Sequence, residues 1–202
     1  MKLNRKNRPA LFILLALLLL SGCAAGFGIY QTTIGASLSQ AQIAELRETY
    51  PICGDDNKIP QVIEKSGKNP TWEEIKERSD TFVYATVDGE WTTYQRFIYD
   101  WYEYPITVIE DTEGFFQSGE KLSIASNLAL IEYNPDFRPG MKIFFPVMLE
   151  SQEGTWLDFS VEGTYYVTED EHVLSAFDED KIAMKKKMTG KKLSILMQDV
   201  KK

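Results

Sequence analysis

The amino-acid sequence predicts a mainly β domain, a small barrel or sandwich, on three observations. Short β-branched and aromatic runs recur between residues 80 and 177. Glycine, proline and Asp-Gly pairs punctuate them, the pattern of short strands joined by turns. Ten Tyr, eleven Phe and four Trp supply large side chains for a core. Without residues 1–22 the chain keeps 180 residues. A chain of that size buries about 70% of its unfolded surface, so it needs no disulfide staple.

The elements follow in order. Ser37 or Ser39 caps a short helix ending near Tyr50, with Leu38, Ile43 and Leu46 on its apolar side; Pro51 stops it. Residues 53–70 are irregular. Thr71-Trp72-Glu73-Glu74 is a capping box, and a helix runs from it to about Arg78. The period then changes to two. Strands are expected at Thr81–Val87, Trp91–Tyr99, Tyr104–Glu110, Lys121–Ser126, Met141–Leu149, Thr155–Val161, Tyr165–Thr168 and Val173–Phe177. Asp100–Glu103 reads as a turn and 127–138 as a long loop. Pro146 places its part of a strand at an edge or a bend. In the tail, Leu193, Leu196, Met197 and Val200 lie at helical spacing on one face.

The chain therefore divides into a signal peptide at 1–22, a tether at 23–36, a helical and irregular lead-in at 37–79, a β-barrel domain at 80–177 and a basic helical tail at 178–202. Ser79-Asp80, Tyr104-Pro105-Ile106-Thr107-Val108, Gly119-Glu120-Lys121-Leu122-Ser123-Ile124, Pro139-Gly140 and Gly163-Thr164-Tyr165-Tyr166-Val167 carry a resemblance. Together they resemble β modules of secreted proteins and lipoproteins of Gram-positive bacteria. Such modules are similar to the OB-like barrel of tissue inhibitors of metalloproteases and netrin modules. The resemblance implies a small OB-like β-barrel with short N-terminal helices and a C-terminal amphipathic helix. It implies no inhibitory chemistry, because the inhibitors' cysteine framework has no equivalent here.

The first residues carry an address. Lys2, Arg5, Lys6 and Arg8 precede the unbroken apolar run Leu11–Leu20, and small residues follow. Leu20-Ser21-Gly22-Cys23 resembles the bacterial lipobox. The resemblance implies cleavage before Cys23 and a diacylglycerol on its thiol. The chain is then held on the extracytoplasmic face of the cell membrane by a lipid anchor. The alternative is an uncut single-pass signal anchor over residues 10–30, which Gly22, Gly26 and Gly28 weaken as a helix.

Charge is lopsided. Residues 23–180 hold 29 acidic and 10 basic side chains, a net of −19, whereas 181–202 carry +7. An acidic body lacks the phosphate contacts on which nucleic-acid affinity rests, so no nucleic-acid partner is expected. The tail helix is expected to pack on the barrel while its lysines offset that charge.

Chemistry is excluded more readily than assigned. The single histidine, His172, reads as a solvated residue in an acidic turn, and no Gly-x-Ser-x-Gly elbow exists. Cys53 and His172 cannot build a zinc site alone. Cys53 lies near no basic cluster and reads as a small buried or loop thiol. Asp55-Asp56-Asn57 lacks the rest of a calcium loop, Gly26-Phe27-Gly28 lacks a third glycine, and Asp178-Glu179-Asp180 reads as a solvated charge run. The aromatic stretch Trp91, Tyr94, Phe97, Tyr99, Trp101, Tyr102 and Tyr104 is expected mostly in the core. Cys23 is thus the one candidate site residue, for lipid attachment. No catalytic residue, cofactor or metal is expected. The expectation is a non-enzymatic, membrane-anchored binding or envelope-associated module with a protein or cell-wall partner. The alternative is a carboxylate-based hydrolase of cell-wall glycan, which needs two convergent acids.

Overall fold

The computed structural model describes residues 37–59, 68–149, 156–158 and 160–201. The expected signal peptide, the tether and Cys23 lie outside the described residues. Leu38–Lys202 forms one compact unit. Its elements are α1 (Gln40–Leu46), α2 (Trp72–Arg78), β1 (Thr81–Val87), β2 (Thr92–Arg96), β3 (Tyr99–Asp111), β4 (Lys121–Asn127), β5 (Lys142–Val147), β6 (Trp156–Asp158), β7 (Tyr165–Val167), β8 (Val173–Ser175) and α3 (Leu193–Val200).

Both lead-in helices start where their sequences say. Ser39 and Gln42 form a capping box on α1, and Thr71 and Glu74 form one on α2. Each satisfies amides that the first helical turn leaves without partners.

The strands build one mainly antiparallel sheet in the order β6-β4-β3-β1-β5-β7-β8, with β2 added on β3. Only β4 and β6 run parallel. β1 is central, pairing Thr81–Thr86 with Val147–Lys142 of β5 and Val83–Val87 with Asp111–Ile106 of β3. A register shift at Tyr84/Ala85 leaves Ile109 of β3 as the extra residue of a bulge, which bends β3 there. Pro146 pairs with Phe82, beyond the reach of β7, which stops at Phe144. The proline therefore sits where β5 has a single neighbour among the described residues, which suits its missing N–H.

The expected barrel does not close. The sheet is an open path ending at β6 and β8. The two strands expected at 155–161 and 165–168 are short, three residues each, and lie apart in the sheet. β6 pairs with β4 for three residues, the chain turns through Val161–Thr164, and β7 then pairs with β5. Gly163 makes that turn at φ +81°, and a Cβ there would come within 3.0 Å of Ile75 on α2.

Two faces follow from strand alternation. On the inner face Val83, Ala85, Val87, Tyr104, Ile106, Val108, Ile124, Ile143, Phe145 and Tyr166 are buried around Phe137. Phe137 touches the rings of Tyr104 and Tyr166 edge-on, 5.3 and 6.0 Å away. On the outer face, Phe82 stacks on Phe144 at 5.5 Å, and Trp72 of α2 meets Phe82 and Tyr165 at 6.0 and 6.3 Å. The tail completes this cover. Leu193, Leu196, Met197 and Val200 of α3 are buried in the same core, and Asp199 accepts a hydrogen bond from Trp72 Nε1 at 3.0 Å.

A loop after β3 depends on one carboxylate. Asp111 accepts the amides of Glu113, Gly114 and Phe116 at 2.7, 2.9 and 2.6 Å, and the Thr81 hydroxyl as well. Partial burial opposes ionisation, but these donors outweigh it and hold the carboxyl below its usual range. A depressed folded value means that its stabilisation is complete above the unfolded value, about pH 4. It is lost as pH falls through the folded value. Asp111→Asn is expected to cost about 2 kcal/mol at neutral pH and to flatten the acid limb of stability. Urea melts of both proteins from neutrality into the acid range check this; parallel acid limbs would contradict it.

Candidate interaction surface

The helices cover the outer face at β1, β5 and β7, but not at β2 and β3. There Tyr94, Arg96, Tyr99, Trp101 and Glu103 share one face of a hairpin, in the register Tyr94↔Trp101 and Arg96↔Tyr99. This corrects the expected strand ends. Asp100–Glu103 is strand, not turn, because its alternate residues serve both faces: Tyr102 is buried while Trp101 and Glu103 are half-buried outside. The chain instead reverses two residues after β2, at Phe97 and Ile98.

That turn is unusual. A two-residue hairpin loop favours Asn-Gly or Asp-Gly, because left-handed backbone suits small or locally hydrogen-bonding residues. Here Phe97 adopts φ 56°. A bulky residue in that region costs about 1–2 kcal/mol. Phe97 and Ile98 are also 87% and 82% exposed, and Tyr99 and Trp91 are 56% and 38% exposed. The hairpin tip thus combines backbone strain with the most exposed large apolar side chains among the described residues. Ile52, Phe115 and Met148 are less exposed.

The base of the tip is braced. The Arg96 guanidinium lies 5.9 Å from the Phe97 ring and 5.5 Å from that of Trp101, within cation–π reach. Trp91 meets Tyr102 edge-on at 6.2 Å. Burial, then the Glu103 carboxylate, raises the Tyr94 phenol above its ordinary value. The aromatic stretch therefore divides: Tyr102 and Tyr104 enter the core, Tyr94 and Trp101 are half-buried, and Trp91, Phe97 and Tyr99 face solvent. Burial pushes the Tyr102 hydroxyl up to about 12.

The other candidates are structural where the described residues include them. His172 is not a solvated turn residue. It is 6% exposed, its Nδ1 lies 2.8 Å from Asp170 Oδ2, and its backbone bridges Lys192. The strand pairing around it draws the ring inward. Hydrogen bonding by Thr168, then His172, holds the Asp170 carboxyl low. Glu179 likewise departs from the expected solvated run. At 5% exposure, it accepts the amides of Met188 and Thr189 at 2.7 and 3.1 Å and the Tyr165 hydroxyl at 3.2 Å. Asp178 and Asp180 remain near solvent, Asp180 pairing with Lys187 at 2.7 Å.

Cys53 is half-buried, with Sγ 3.8 Å from the Tyr166 hydroxyl. Burial pushes its thiol up, away from nucleophilic use. Asp55 closes a local turn by accepting the Asn57 amide at 3.0 Å. Gly26-Phe27-Gly28 lies outside the described residues.

A cavity of about 250 Å³ lies beside α2, with Arg78, Asp158 and Glu162 on its wall. Glu162 accepts from the hydroxyls of Tyr133 and Ser160. Among the described residues no three His, Cys, Asp or Glu side chains are grouped to hold a metal ion. No helix among them is long and apolar enough to cross a membrane. The chain matches no known family model, and no curated protein matches it. Sequence reasoning gathered the aromatic residues of the hairpin but missed its tip, since Phe97-Ile98 carries no turn residue.

Proposed function

We propose that this chain is a lipid-anchored extracytoplasmic binding module without catalytic activity, and that the β2–β3 hairpin is the surface it presents. The observation that carries the reading is the Phe97-Ile98 tip. Strained backbone persists where function needs it, and an uncovered apolar patch marks a partner site. The lipobox resemblance of residues 20–23 supports the anchor. The two-part return of β6 and β7, one half parallel to β4 and the other antiparallel to β5, supports an opened OB-like barrel as its ancestry.

Two measurements test the reading. Fatty-acid labelling should disappear in Cys23→Ala; unchanged labelling removes the anchor. A photo-reactive residue at Ile98 should give one dominant adduct in intact cells, with none from Gly119. Equal adducts from both positions remove the hairpin. The glycan-hydrolase reading retains one specific support, the shared cavity of Asp158 and Glu162. Peptidoglycan turnover by the protein, lost in Asp158→Asn or Glu162→Gln, would establish it instead.

A further inference from the structure

Among the described residues, strand β2 has one neighbour, β3. The two-residue loop makes Arg96↔Tyr99 the closing hydrogen-bonded pair, so Thr92, Tyr94 and Arg96 point their backbone groups toward β3. Thr93 and Gln95 then point their N–H and C=O groups outward, and both side chains are exposed. The strand Thr-Thr-Tyr-Gln-Arg contains no proline, glycine, bulge or lysine, the devices that normally blunt a sheet edge. Its one charge, Arg96, lies beside the Phe97 and Trp101 rings.

We infer that β2 pairs antiparallel with β2 of a second copy of this chain, about a two-fold axis at Tyr94. The inference rests on the hairpin being an interaction surface and names its partner. Three complementarities choose this register. First, Thr93 falls opposite the partner's Gln95 and the reverse, so all four outward backbone groups on each strand are used. Second, Trp91 falls opposite the partner's Phe97. The two exposed aromatic residues that flank β2 thereby cover one another, a favourable cross-strand pair. Third, Arg96 falls opposite the partner's Thr92 and diagonal to the partner's Glu90 on the same face, which brings opposite charges together twice. A surface complementary to itself in this way forms a closed two-fold pair. The contact is small, so affinity on the order of 10 µM is expected in solution. Shared tethering to one membrane would raise the effective concentration.

The test uses the full chain in detergent and in cells. Sedimentation should show a monomer–dimer equilibrium. Thr93→Pro removes an outward N–H that β3 does not use, so it should yield monomer with an unchanged circular dichroism spectrum. Phe97→Ser should weaken the dimer at least about 10-fold. In a Cys53→Ser background, Tyr94→Cys should form a symmetric disulfide in intact cells. Facing residues at a non-hydrogen-bonded position lie about 4.5 Å apart between Cα atoms, within disulfide range. Gly119→Cys should not cross-link. A wild-type chain that stays monomeric at about 100 µM, or equal cross-linking from residues 94 and 119, overturns the pairing, whether or not Thr93→Pro folds. If monomer is found while the Ile98 photo-adduct is a different protein, the self-pairing fails and the hairpin surface stands. If neither dimer nor adduct forms, both fail.

Discussion

Removal of residues 189–202 is expected to abolish cooperative folding, not merely to lower the melting temperature. The deleted segment contains α3, whose Leu193, Leu196, Met197 and Val200 are all buried. Burying an apolar side chain of this size contributes about 1.5–3 kcal/mol. Four of them give about 6–12 kcal/mol, comparable to the whole stability of a domain, about 5–15 kcal/mol. The deletion also removes the Asp199 carboxylate from Trp72 Nε1 and from Lys76, which it approaches at 3.0 and 3.6 Å. Trp72 would then sit at an open face with its indole N–H unpaired. Calorimetry of the truncated chain should show no unfolding peak, and its emission should match that of the urea-unfolded protein. A sharp transition within a few degrees of the full-length value would show that α3 is an appendage. The same burial removes the apolar stripe from any membrane contact, leaving exposed lysines such as Lys185, Lys186 and Lys187.

Glu179→Ala is expected to cost about 3–5 kcal/mol, the range for stripping one partner from a buried charged network. The carboxylate gathers the amides of Met188 and Thr189 and the hydroxyl of Tyr165. Alanine leaves those donors buried, and unmet amides cost about 1–3 kcal/mol each. Glu179→Gln keeps an acceptor in place and should cost about half as much. Tyr165 sharpens the contrast: burial and then the Glu179 charge raise its hydroxyl well above the ordinary value. Denaturant melts of the two variants decide the matter, since a loss below about 1 kcal/mol for alanine would return Glu179 to the solvent-facing role its sequence suggests.

Glu179 also shows how far the sequence could be read. Periodicity located most strands and all three helices because each has an apolar side to cover, and the first two helices also have a capping box to start them. Thr71 with Glu74, and the stripe from Leu193 to Val200, are local signals with local causes. Pro146 found its place for the same reason, since its missing N–H excludes a second neighbour. Long-range packing was not legible. Asp178-Glu179-Asp180 looks uniform, yet only the middle residue turns inward, because residues 188 and 189 bring two amides to it. His172 sits among acids in sequence and beside Lys192 in space. The barrel expectation failed because β6 and β8 end the sheet without pairing with each other, a long-range outcome that no local pattern records. The hairpin was half legible: alternation separates Tyr102 and Tyr104 from Trp101, but nothing marks a Phe-Ile pair as a turn. That rule is broken where the surface is most exposed.

The bond between Trp72 and Asp199 joins residues 127 apart in the chain. It lies across the cover of the central strand, so the core cannot be sealed until distant segments have met. Contacts of that separation make folding slow, because the entropy of closing long loops is spent before packing returns it. A slow folder exposes its strands to other copies for longer. The surplus of carboxylates on residues 23–180 acts in that interval. Like charges hold unfinished chains apart and keep them in solution, so the acidity of the body is a kinetic safeguard for a fold that is closed by contacts between distant segments.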